Sequence, residues 1–169
     1  MAETNSLTVS RTRELLDYDP LTGALTWRID RPGGKRAGDT AGGLNGDRYV
    51  VVGIDGRQFY GHRLAWLHQT GDWPPHGIDH IDLTHDHNWW ANLRPATKSQ
   101  NGQNVLVARC NSKSGVLGVC WIEKLQRWRA QITVDRRPKF LGHFLTLQEA
   151  ADAYAAAKVR FHPYQTMVV

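Results

Sequence analysis

The sequence predicts an α+β chain assembled from short strands and short helices, and three stretches carry that prediction. "RYVVVGIDGRQFYGHRL" places two β-rich runs on either side of Asp55-Gly56, the strongest short hairpin signal. "IDHIDLTHDHNWWANLRPATKSQN" reads as strand, polar loop, strand and helix. "GVLGVCWIEKLQRWRAQITVDRRPKFLGHF" alternates like three short strands and runs into the alanine-rich helix "TLQEAADAYAAAKVRF".

Taken in order, "VSRTRELLDYDPLTGALTW" opens with a Ser10-capped helix over Arg11 to Tyr18. Asp19-Pro20 and Thr22-Gly23 turn the chain into a strand over Ala24 to Trp27. "PGGKRAGDTAGGLNGD" is a glycine-rich loop. Arg48 to Ile54 and Arg57 to Tyr60 form the hairpin, and His62 to His68 a short helix. A strand over Ile78 to Ile81 follows the Pro74-Pro75 turn, "NLRPAT" returns as its partner, and Thr97 caps a helix over "KSQNGQNVL". The closing helix begins with Thr146 and Glu149 in capping-box spacing. The domains expected are an extension over 1–46, a core over 47–107 with the hairpin at its start, and a small sheet-plus-helix module over 108–169.

Composition narrows the class of function. With 41% apolar and 22% charged residues, the chain is globular rather than disordered or fibrous. No apolar run reaches a membrane span, and the N-terminus lacks a signal-peptide core, so a cytosolic protein without membrane partners is expected. Cys110 and Cys120 cannot build a disulfide framework or a four-cysteine zinc site, and read as small apolar fillers. Charge is unevenly placed. Residues 1–105 carry 11 Lys and Arg against 12 Asp and Glu, whereas residues 106–169 carry 10 against 4. The C-terminal third is the part expected to face a polyanion.

Asp79-His80 is the chemical focus. Strand alternation sends these neighbours to opposite faces, yet at a strand end both can serve one site if the chain bends. A carboxylate with a carboxamide oxygen suits a hard cation such as Mg²⁺, and an adjacent histidine that is not a ligand can act as general base. That is the composition of a one-metal phosphodiesterase site. His85 and His87 could suggest zinc, but no fourth ligand falls at a regular spacing, so they read as solvated loop histidines. His62 reads as a structural residue packed beneath the site. Trp89, Trp90, Trp121 and Trp128 could stack on bases but fit a core equally well.

Asp79-His80, Asn92 twelve positions after the histidine and Asn101 nine further on resemble the HNH endonuclease family in its histidine-asparagine-asparagine form, found in phage and intron-encoded homing endonucleases. The wider string "HRLAWL … IDHID … N-x-x-x-N-L-R-x-A-T-x-S-Q-N" extends the resemblance over about residues 47 to 104. The resemblance implies a ββα-metal fold acting on double-stranded DNA with one Mg²⁺ or Mn²⁺. His80 would be the general base, Asp79 and the Asn101 side-chain oxygen the metal ligands, and Asn92 the residue that holds the loop and orients His80. It also implies a phage-encoded, monomeric protein in a bacterial cytoplasm. One departure is Trp89, where the family usually carries arginine.

Residues 114–162, "GVLGVCW … RWRAQI … FLGHF … EAADAYAAA", are similar to the Apetala-type (ethylene-response-factor) DNA-binding domain, which lays a three-stranded sheet in the major groove. Cys120 and Ile122 stand where that family has arginines. The basic groups lie instead at Lys124, Arg127, Arg129, Arg136, Arg137 and Lys139. Alternation turns Ala130 and Ile132 toward the helix and leaves Arg129, Gln131 and Thr133 on the open face as binding candidates. Arg48 and Arg57 on the first hairpin are the competing DNA contacts. The alternative to an enzyme is a DNA-binding regulator of the same fold with a weakened nuclease site.

Overall fold

In a computed structural model the chain is described over residues 7–105, 108 and 112–164; Cys110 lies outside these. It divides into two compact units, Met1–Ala96 and Thr97–Val169. Among the described residues no helix is long and apolar enough to cross a membrane.

The first unit starts with α1 (Val9–Leu15), capped by Thr8, whose hydroxyl accepts from the Arg11 N–H at 3.1 Å. The cap is therefore Thr8, not Ser10, and the helix ends at Leu15, three residues short of the expected Tyr18. From Leu16 the burial pattern changes to period two: β1 (Leu16–Tyr18) pairs antiparallel with β2 (Leu25–Trp27), Leu16 opposite Trp27 and Tyr18 opposite Leu25. Tertiary burial of Leu16 and Tyr18 overrides the helical propensity of "RELL".

The intervening turn is built by Asp19. Its carboxylate accepts from the Leu21 N–H (2.9 Å) and the Thr22 hydroxyl (2.7 Å), and Gly23 closes the turn at φ 78°. A Cβ on Gly23 would come within 2.4 Å of the Asn88 carbonyl carbon and the Trp89 nitrogen. Gly23→Ala combines a left-handed backbone with a backbone clash and should cost roughly 2–4 kcal/mol. Urea unfolding measures it, and a loss of only a few tenths would show that the loop around Asn88 yields.

The glycine-rich stretch is not wholly loop. It contributes β3 (Gly43–Leu44), which pairs with β4 (Val50–Ile54), and β4 pairs with β5 (Arg57–Tyr60). Asp55 (φ 48°) and Gly56 (φ 78°) make the two-residue turn that fits strand twist. Next comes α2 (Gly61–Thr70), closed by Gly71 at φ 88°. The core joins Leu15, Leu16, Val52, Ile54, Phe59, Leu64 and Ala65, with the β1–β2 ribbon, each large side chain contributing about 1.5–3 kcal/mol. β6 (Gly77–His80) and β7 (Leu93–Ala96) form a separate two-stranded ribbon, tied to the core through Leu93 and Ile78.

The second unit opens with α3 (Lys98–Asn101), which carries a complete capping box between Thr97 and Gln100. The expected helix to Leu106 stops at Asn101 and tightens into a 3-10 turn over Gly102–Asn104, in keeping with the low helix propensity of Asn101-Gly102. β8 (Val119–Ile122), β9 (Arg127–Val134) and β10 (Arg137–Phe144) form an antiparallel sheet in the order β10-β9-β8. α4 (Leu147–Phe161), with its Thr146–Glu149 capping box, buries Ala150 against Val119 and Ala130. Ala130 and Ile132 are inside, as alternation predicts. Cys120 is no core filler: it is half-buried opposite Arg129, on the face away from the cluster.

Candidate active site

Asp79 and His80 end β6, and both are buried, at 5% and 4% exposure. They succeed one another on a narrow ribbon, Asp79 opposite Arg94 and His80 opposite Leu93, so alternation turns them apart while neighbouring segments cover both. Asp79 Oδ2 accepts from Nε and Nη2 of Arg94 at 2.9 and 2.8 Å. Arg94, the basic position of N-x-x-x-N-L-R to which the sequence attaches no role, thus balances the carboxylate inside the protein.

The loop from Ile81 to Trp89 is closed by Asn92. Its side-chain oxygen accepts from the Asp82 N–H at 2.9 Å, and its amide donates to Asp82 Oδ1 (2.9 Å) and to the His87 carbonyl (2.7 Å). Its backbone carbonyl accepts from the Ile81 N–H. Asn92, 3% exposed, therefore holds the loop with every polar atom of its side chain, its side-chain hydrogen bonds going to Asp82 and His87.

The ring is oriented by Asn88. Oδ1 of Asn88 faces His80 Nε2 at 3.1 Å, and Tyr18 Oη donates to the Asn88 carbonyl at 2.8 Å. An amide oxygen only accepts, so Nε2 carries the proton and Nδ1 keeps the lone pair. Burial pushes the His80 imidazole below its ordinary value, partly opposed by the Asn88 bond. The one sequence signal for this role is the leading Asn of N-x-x-x-N-L-R.

Aromatic rings surround His80. His62 meets it edge to face at 5.2 Å, Tyr49 lies at 6.1 Å and His85 at 6.0 Å, and Tyr60 stacks on His62 at 5.4 Å. His62 is packed against the site as a buried ring. Burial, reinforced by the positive charge of His80, Arg63 and His85, lowers its pKa to about 3. An imidazole near 6.5 when unfolded and near 3 when folded binds fewer protons in the native state between those values. Its contribution is full above about pH 6.5 and is lost as pH falls, amounting to about 2 kcal/mol near pH 5. Denaturant unfolding at neutral pH and near pH 5 should show that loss, and His62→Gln should shrink it; an equal loss in the variant would place the acid sensitivity elsewhere.

His85 and His87 are partly exposed loop residues, as expected, but both rings are anchored. His87 Nδ1 contacts Asp82 Oδ2, and its ring lies 4.5 Å from Trp89. His85 stacks flat on Tyr49 at 4.1 Å with Nδ1 on the Asp47 carbonyl. Arg48, a DNA-contact candidate, is drawn to Asp86 at 2.9 Å. Arg57 is exposed on β5 opposite Ile54.

Asn101 ends α3 in the second unit. There Arg129 and Gln131 are half-buried and Thr133 is exposed on the face opposite Ala130 and Ile132. Arg129 Nε is buried without a hydrogen-bond partner among the described residues. Phe140 pairs with Gln131 and His143 with Arg129, so this face mixes cations, polar groups and one ring that is 58% exposed. Arg136, at φ 65°, lies in the β9–β10 turn and Arg137 starts β10, while Lys124 lies in the β8–β9 turn and Arg127 starts β9. Lys139 lies apart from them, its Nζ 4.4 Å above the Phe161 ring of α4.

Among the described residues no group of three His, Cys, Asp or Glu gathers as a metal cage. The oxygen donors at Asp79 nevertheless fit a hard cation. A carboxylate is the hard oxygen donor such an ion prefers, and Mg²⁺ characteristically takes one or two carboxylates with water and substrate phosphate.

A family model described as HNH endonuclease matches residues 59–103, from β5 through α3. No curated protein and no solved structure matches the chain.

Proposed function

We propose that the HNH endonuclease domain at residues 59–103 makes this chain a metal-dependent DNA endonuclease, which hydrolyses phosphodiester bonds in duplex DNA to 5′-phosphate and 3′-hydroxyl ends. The observation that carries the reading is the buried Asp79–His80 pair, held by an Asn92-stapled loop inside the matched segment. His80 Nδ1 takes a proton from water. The water oxygen bonds to phosphorus, and the P–O3′ bond breaks with its electron pair on the 3′ oxygen, which gains a proton from solvent. Burial favours the neutral imidazole that this step needs, and Asn88 fixes which nitrogen is basic.

Asp79 and the Asn101 side-chain oxygen would hold the divalent ion, Mg²⁺ or Mn²⁺, which when bound supplies charge stabilisation to the phosphoryl and leaving oxygens. The second unit is assigned to DNA contact through the open face of its sheet, with Arg129, Gln131 and Thr133 central and the turn cations on the phosphates.

Supercoiled plasmid incubated with Mg²⁺ or Mn²⁺, with and without EDTA, tests the reading. Nicked or linear product that EDTA abolishes is expected, with ends that ligase accepts directly. Plasmid that is shifted in a gel but never cut would replace the enzyme with the DNA-binding regulator.

A further inference from the structure

We propose that His85 is a second catalytic imidazole, whose protonated ring donates a hydrogen bond from Nε2 to a non-bridging oxygen of the scissile phosphate. The proposal rests on the endonuclease reading above.

The first ground is how firmly the ring is held. A tight loop precedes β4: Asn45 Oδ1 accepts from the N–H groups of Asp47 (3.1 Å) and Tyr49 (2.9 Å). The Asn45 N–H donates to the Tyr49 carbonyl at 3.0 Å, and Arg48 takes φ 63°. This loop presents two things to His85. The Asp47 carbonyl meets Nδ1 at 2.9 Å, and the Tyr49 ring lies parallel to the imidazole, 8° from coplanar. The Arg48 guanidinium reaches Asp86, the next residue, and ties down the backbone as well. A solvent histidine needs none of these anchors, and ordering one costs side-chain entropy that a use must offset.

The second ground is direction and charge. A carbonyl only accepts, so Nδ1 is committed as a donor and Nε2 is the atom left for other chemistry, a donor only when the ring is charged. The ring centre is 6.0 Å from that of His80, the span across which a phosphate could touch both. The charged and titratable groups that face it are Tyr49, His80 and His62, the exposed Asp47, and the Arg48–Asp86 pair. Asp79, Asp82 and Asp86 already have partners in Arg94, His87 and Arg48. The acids of this strand and loop are therefore engaged, and an incoming phosphate is the anion that would complete a charged His85.

The test is single-turnover plasmid cleavage by the full chain with Mg²⁺ or Mn²⁺, and duplex affinity in EDTA, for the wild type, His85→Gln and His85→Lys. His85→Gln should slow cleavage by about a hundredfold, the usual effect of removing one charge-stabilising donor. His85→Lys, which keeps a cation but loses the stack, should recover most of that loss. His85→Gln cutting at the wild-type rate overturns the proposal while leaving the endonuclease intact. Equal slowing in both variants overturns it too, because His85 would then only brace the loop. A wild-type chain that cuts nothing removes the endonuclease reading, and this proposal with it.

Discussion

Replacing His80 by alanine should slow plasmid cleavage by about 10²–10⁴-fold, the range general-base assistance supplies, and leave duplex affinity in EDTA nearly unchanged. The asymmetry follows from where the side chain is spent. His80 is 4% exposed, its Nε2 is committed to Asn88, and its other contacts are rings of the same unit, so little of it reaches DNA in the ground state. Removing it deletes a proton acceptor that acts only as the water attacks. Asn88→Ala should move the rate in the same direction by less, since the imidazole stays but its basic nitrogen is no longer specified. Cleavage by His80→Ala at the wild-type rate would sink the assignment. A parallel collapse of affinity and melting temperature would instead make His80 a structural residue, and the Asn88 variant, which spares the ring, would then tell the two apart by its rate alone.

Local chemistry is legible in the sequence where the cause is local. Asp55-Gly56 specifies its hairpin because both residues tolerate positive φ, and Thr97/Gln100 and Thr146/Glu149 fix two helix starts through bonds three residues long. Asp79-His80 and Asn92 stand out because their residue types and spacing are unusual together. What stays hidden depends on partners distant in the chain. The Asn88 carbonyl is held by Tyr18 seventy residues earlier, and His85 by Asp47 thirty-eight residues earlier. Arg94 is legible only as the basic position of N-x-x-x-N-L-R, and its role emerges when β6 and β7 pair and set it opposite Asp79. The helix expected over Arg11 to Tyr18 is too long for the same reason: nothing within "LLDY" announces that Leu25 to Trp27 will pair with it.

Converting Lys124, Arg127, Arg129, Arg136 and Arg137 together to glutamine should flatten the dependence of log affinity on log salt by roughly 4 units, at about 0.9 for each phosphate no longer neutralised. Truncating near Ala108 is the worse experiment. Lys158 Nζ donates to the Val105 carbonyl at 2.6 Å and the Tyr164 N–H to Gln103 Oε1 at 3.1 Å, so α4 and the residues after it brace the turn that follows α3, and α3 carries Asn101. A cut there would confound DNA binding with loss of a proposed metal ligand. Side-chain replacement spares that turn: Lys124, Arg136 and Arg137 are exposed in turns or at a strand start, where substitutions usually change stability by no more than about 0.5 kcal/mol, and a melting curve checks the two half-buried members, Arg127 and Arg129. Lys139 is left in place because its ammonium already packs over Phe161. Arg129 is the informative member. It lies within β9, half-buried between Cys120 and His143 on the face away from Ala130, so its single replacement by glutamine reports whether that face, rather than the turns, meets DNA. The competing assignment gives recognition to the first hairpin. Arg48 starts at a disadvantage there, since binding would have to draw it from Asp86 at 2.9 Å. If the five-fold variant keeps the wild-type salt slope while Arg48→Gln with Arg57→Gln flattens it, the division of labour between the two units is reversed.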